Sequence, residues 1–168
     1  MAMALIPDPE AFKQSFAALP IAVYEPGETV LEAGSTTGQL FILRNGAVEV
    51  IRDGLQIATV SEPGAVFGEL SVILDKPHTA DVRALKRSEF HVAQASSLLT
   101  DNVAALLYVS AVLARRLDAA NEVIVEIKGE LESGKRPGAI SKALDKLAEL
   151  LSPAGGNNPD FYYYYPMY

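Results

Sequence analysis

The sequence predicts an α+β fold: an antiparallel β-roll or jelly-roll barrel with a short helix before it, another inside it and a long helix after it. Three observations point there. Short β-rich runs alternate with turn residues from Ile21 to Ala93, the rhythm of a small all-β roll. From Ser96 the apolar residues recur instead in steps of three and four, which is a helical period. Of the 168 residues, 49% are hydrophobic, a globular composition with enough material for a core.

The elements follow in order. "PDPEAFKQSFAAL" opens a short helix with Asp8 as N-cap and Pro9 at the first helical position. The strand-forming runs are "VYEPGETVLEAGS", "QLFILRNGAVEVIRDG", "QIATVSEPG", "TADVRAL" and "EFHVAQ". Asn45-Gly46, between two of the apolar stretches, predicts a hairpin with a type I′ turn. Within this block only "GELSVIL" suits a helical turn. After "SLLTDN", a long helix is expected from about Asn102 to Leu131.

On that helix Val103, Leu106, Ser110, Leu113, Leu117, Ala120, Ile124, Ile127 and Leu131 form a heptad seam, which suits pairing with a second helix. A helix lying on its own barrel would show the same stripe. Leu107, Val109, Val112 and Val123 add apolar surface beside the seam, so the expectation is a homodimer through Leu106, Leu113, Leu117, Ala120, Ile124 and Ile127. "ESGKRPG" breaks the helix. A second amphipathic segment follows, with Ile140, Leu144, Leu147 and Leu151 on one face and Lys142, Asp145, Lys146 and Glu149 on a solvated one. "SPAGGNNPD" reads as a linker to the aromatic end "FYYYYPMY", expected to dock on its own dimer or in a partner's groove.

Composition narrows the function. The net charge of −7 opposes non-specific nucleic-acid binding, which needs cations to neutralise phosphates. With no cysteine, disulfides, thiolate catalysis and iron–sulfur clusters are excluded. "MAMALIPDPEAF" has neither a basic segment nor a long apolar run, so no signal peptide is expected. "VAALLYVSAVLA" is too short to span a bilayer and runs into Arg115 and Arg116. The expected setting is the cytoplasm, without a membrane. The two histidines, His78 and His91, are too few for a cupin-type metal enzyme. His91 alternates with Phe90 and Val92 and is expected to face solvent. Ser71, His78 and Asp81 come without a nucleophile elbow. No catalytic residue, metal ligand or enzyme activity is therefore predicted.

The stretch "FGELSVILDKPHTADVRA" holds the candidate binding residues Phe67, Gly68, Glu69, Leu70, Ser71, His78, Thr79 and Ala80. A tight turn at Gly68 lets N–H groups at the start of a short helix face an anion. Glu69 can accept a hydrogen bond, for example from a sugar hydroxyl, and Thr79 can donate one, for example to a phosphate oxygen. Arg83, about 13 Å beyond Thr79 by strand rise, is too far to assist.

These residues resemble the cyclic nucleotide-binding domain family. "FGELSVILDKPHTADVRA" is similar to its phosphate-binding cassette nearly position for position, and "GSTTGQLFILRNG" has its spacing of a turn glycine, four apolar residues and a hairpin glycine. The helix carrying "ARRLDAANEV" resembles the dimer helix of the catabolite activator protein class. The resemblance covers roughly residues 10–132. It implies cAMP or cGMP as the ligand, with Thr79 leaving guanine open and adenine contacts falling at Ala120 and Asn121. It also identifies one departure: the family's phosphate-binding arginine stands at the position of His78. A neutral histidine cannot form the arginine fork.

The expected organisation is a cyclic nucleotide-binding domain-like roll with its long helix over 8–132, an extra amphipathic helix over 133–152, and a linker with the aromatic tail over 153–168. The remaining length is too short for a winged helix, so direct DNA binding is not expected and the effector is a partner protein. Two functions stay open: a stand-alone cyclic nucleotide sensor, and a non-binding domain used for dimerisation or protein contact.

Overall fold

The computed structural model describes residues 16–132. The predicted Asp8 cap, the start of the N-terminal helix, Leu131's side chain, the segment over 133–152 and the tail over 153–168 lie outside what is described. Eight strands form two four-stranded antiparallel sheets. They are β1 (Ile21–Tyr24), β2 (Thr29–Leu31), β3 (Gln39–Asn45), β4 (Val48–Arg52), β5 (Leu55–Val60), β6 (Val66–Phe67), β7 (Asp81–Ala84) and β8 (Ser88–Gln94). One sheet runs β1-β8-β3-β6 and the other β2-β7-β4-β5. Helix α1 (Glu69–Leu74) interrupts the roll; α2 (Ala95–Asp101) and α3 (Val103–Glu132) follow it. This is the predicted α+β roll.

Strand β3 shows why "LFIL" has no polar residue. Phe41 and Leu43 face the space between the sheets, with Val48, Val60, Val82 and Phe90. Leu40 and Ile42 face the other way, into a second core with Val66, Ala95, Ala105, Tyr108, Val109 and Val112. A strand covered on both faces reads as a continuous apolar run. Phe90 anchors the inner core edge-to-face with Tyr24, Phe41 and Phe67, at centroid distances of 5.7, 6.3 and 6.0 Å.

The Asn45-Gly46 turn is not a hairpin. Strand β3 pairs with β6 and β8, whereas β4 pairs with β5 and β7, so the turn carries the chain from one sheet to the other. Only Gly46 of the pair has positive φ, at 128°. A Cβ there would lie 2.2 Å from Ser88 Oγ and 2.6 Å from Ser88 Cα, so close approach to β8 requires the glycine. The two-residue hairpin is at Asp53-Gly54, where both φ angles are positive, 52° and 77°, and Arg52 pairs with Leu55.

Helix α3 begins at Asn102, whose Oδ1 accepts the Ala105 N–H at 3.0 Å, an N-cap bond. Its inward stripe is Ala105, Tyr108, Val109, Val112, Ala119 and Val123. Tyr108 ties it to the roll by donating its hydroxyl to Gly64 O at 3.0 Å. Of the residues noted beside the heptad seam, Val109 and Val112 join the roll's second core and Val123 is buried, whereas Leu107 is half-buried; the seam residue Leu113 also packs against that core. On the seam itself Val103, Leu106, Leu117 and Ile124 are exposed, and Leu113, Ala120 and Ile127 are half-buried. Among the described residues no single helix is long and apolar enough to cross a membrane.

Candidate functional site

The cassette is built around a backbone turn. Gly68 caps α1 with φ 89° and ψ −8°, and a Cβ there would stand 2.5 Å from Gln39 O. Only glycine meets both the left-handed conformation and the contact with β3. At the other end Asp75 is also left-handed, and Ser71 Oγ donates to Lys76 O at 2.5 Å, closing the turn towards Pro77.

The chain then returns past the start of α1. His78 donates its N–H to Ser35 O at 2.8 Å and accepts the Gly34 N–H at 2.8 Å, so the loop between β2 and β3 clamps its backbone on both sides. Asp81 adds a third tie by accepting the Ala33 N–H at 2.6 Å. The His78 ring is 6% exposed. Its Nε2 is 3.0 Å from Thr37 Oγ1, and its Cε1 lies 3.7 Å from the Cβ position on Gly68. Burial pushes the imidazole below the usual histidine range, against an upward pull from the Glu69 carboxylate.

Glu69 is the one buried carboxylate among the described residues, at 3% exposure. It is paired with Arg116 of α3, whose second terminal nitrogen donates to Val66 O at 3.1 Å. A buried charge without such a partner costs several kcal/mol, on the order of 3 or more. The pair therefore links the cassette to the long helix directly.

Gly68, Glu69 and His78 are brought together. Other candidate residues are placed differently. The Phe67 ring belongs to the core between the sheets, and Leu70 projects outward. Thr79 and Ala80 are half-buried in a bend before β7, so strand alternation does not relate Thr79 to Arg83. That arginine faces Glu49 at 3.8 Å. Asn121 is exposed on α3. His91 is half-buried rather than solvent-facing, and its Nδ1 is buried without a partner among the described residues. Because β1 and β3 flank β8, both neighbours of His91 are sheet, not water.

Two residues escaped the sequence reading. Arg116 continues the inward stripe of α3, four residues after Val112 and three before Ala119. A cation on such a stripe implies a buried acid, and that was its signal. Thr37 sits in a loop and gave none.

Residues 21–100 match the family described as cyclic nucleotide-binding domain. This chain carries a cyclic nucleotide-binding domain. The cAMP-dependent protein kinase regulatory subunit of Yarrowia lipolytica is 34% identical over 77 residues, which is 46% of this chain and 20% of that protein. The voltage-gated inwardly rectifying potassium channel KCNH7 of Mus musculus is 33% identical over 76 residues, 44% of this chain and 6% of that protein. The likeness thus spans a fifth or less of either relative. In fold, the domain resembles the catabolite activator protein of Thermus thermophilus, with a TM-score of 0.57, 21% identity and 84% of each chain covered.

Proposed function

We propose that the cyclic nucleotide-binding domain takes cAMP or cGMP in the cradle formed by Gly68, Glu69, His78 and Thr79, and passes the event through α3 to a partner protein. The role is regulatory rather than catalytic, and the setting is cytoplasmic. The observation that carries this reading is the pairing of buried Glu69 with half-buried Arg116. The carboxylate placed for a ribose hydroxyl is held by a residue of the long helix, so a ligand competing for Glu69 acts on α3 itself. The sensing unit is the roll with its long helix, over 8–132.

Pairing of two α3 helices through Leu106, Leu113, Leu117, Ala120, Ile124 and Ile127 makes the unit a homodimer. Three exposed apolar side chains on that seam, Leu106, Leu117 and Ile124, support this.

A second reading has one specific observation behind it. His78 is buried on a neutral partner, Thr37, and Glu69 already has its cation. A cradle satisfied without ligand suits a non-binding dimerisation or protein-contact module. Titration of the wild type and of Glu69→Ala separates the two: sensing predicts that the wild type binds cAMP or cGMP and the variant binds it more weakly, whereas no binding by the wild type favours the second reading. Equal affinity removes Glu69 from the site.

A further inference from the structure

Thr37 has a chemical property that matters for the ring it touches. Its Oγ1 lies 3.0 Å from His78 Nε2 and accepts the Gln39 N–H at 3.2 Å. A hydroxyl both donates and accepts. It can donate to Nε2 of a neutral imidazole whose proton is on Nδ1, and it can accept from Nε2–H of an imidazolium. The same contact therefore holds the ring in either charge state, with the backbone clamp at Ser35 and Gly34 fixing its base. Nδ1 remains as the ring's other hydrogen-bonding atom.

We propose that Thr37 is a positioning residue that keeps His78 aimed at the cradle while it gains a proton, so that anion binding beside Gly68 is accompanied by proton uptake on His78. This deepens the cyclic nucleotide reading and rests on it. The charged groups around the ring are few. Glu69 approaches from α1 and favours the imidazolium; Arg116, from α3, offsets that carboxylate. The loop between β2 and β3 contributes Ser35 and Thr37, which carry no charge, and β3 contributes Gln39. Asp81, at the start of β7, is committed to the Ala33 N–H.

An anionic phosphate entering this cradle adds the negative charge that Arg116 withholds. It raises the His78 pKa, and the proton arrives with the ligand. Affinity then rises as pH falls through the pKa of the bound state, and stops rising below that of the free state.

The test is calorimetric titration of the full chain with cAMP and with cGMP from pH 8 to pH 5, in two buffers of different ionisation enthalpy. The wild type is expected to take up about one proton per site near neutral pH and to tighten about tenfold or more on acidification. Thr37→Ser should keep both features. Thr37→Val should flatten the pH profile while its thermal midpoint shows that it is folded. If Thr37→Val is unfolded, a flattened profile in Thr37→Ala serves the same purpose.

A wild-type profile that is flat, or a folded Thr37→Val or Thr37→Ala with the wild-type profile, overturns the inference while leaving nucleotide binding in place. Absence of binding at every pH, in the wild type and in His78→Arg alike, overturns the binding reading and this inference together.

Discussion

At the scale of single residues, the site is held by groups that were removed from water and had to be compensated. His78 and His91 are both pushed below the usual histidine range, first by burial. A histidine held neutral by folding takes up a proton more readily when unfolded, so its contribution to stability is present above the unfolded pKa. That contribution is lost as pH falls from about 6.5 towards the folded value. The thermal midpoint of the ligand-free protein should therefore drop on acidification through this window, and His78→Gln should reduce the drop. A midpoint constant from pH 7 to pH 5 would contradict the burial assigned to both rings. Arg116 offers a second test. Arg116→Met leaves Glu69 buried and uncompensated, and should cost about 3 kcal/mol or more by chemical denaturation, whereas the double variant Arg116→Met with Glu69→Gln should recover part of that loss. No recovery would mean that the pair is not coupled.

At the scale of elements, what was legible and what was not follow one physical division. Periodicity and glycine placement announced the roll, α1 and the bounds of α3, because those signals are local. Strand pairing is not local. Asn45-Gly46 carries the sequence of a hairpin turn, yet its flanking strands belong to different sheets, and the glycine answers to Ser88 across the roll. The true hairpin at Asp53-Gly54 had an equally good turn sequence and went unremarked. Within the cassette the glycine, the carboxylate and the histidine could be singled out from order and spacing. Their partners Thr37 and Arg116 lie 41 and 47 residues away, beyond any local pattern. The long helix divides its faces in a way that favours association: Ala105, Tyr108, Val109 and Val112 pack on the roll, while Leu117 and Ile124 remain 64% and 60% exposed. Leu117→Asp with Ile124→Asp should convert a dimer to a folded monomer in light scattering at micromolar concentration. A wild type that is already monomeric there would remove the seam as an interface.

At the scale of the whole molecule, one ion pair, between buried Glu69 and half-buried Arg116, joins the cradle to the long helix. The roll positions Gly68 and Glu69 at the start of α1, the loop between β2 and β3 holds His78 over them, and Arg116 ties the carboxylate to α3. Under the proposed function, a ligand engaging Glu69 would compete with a helix contact, which would give the helix two states to choose between. His78 makes the predicted affinity modest at neutral pH. Restoring a guanidinium there with His78→Arg should tighten binding by about ten- to a hundredfold, the worth of one charged hydrogen bond to an anion. The most direct measurement of the central claim is therefore calorimetric titration of the purified chain and of His78→Arg with cAMP and cGMP at pH 7. Saturable binding of at least one nucleotide with one site per chain, tighter in the variant, is expected; no binding by either protein would contradict the cradle as a nucleotide site.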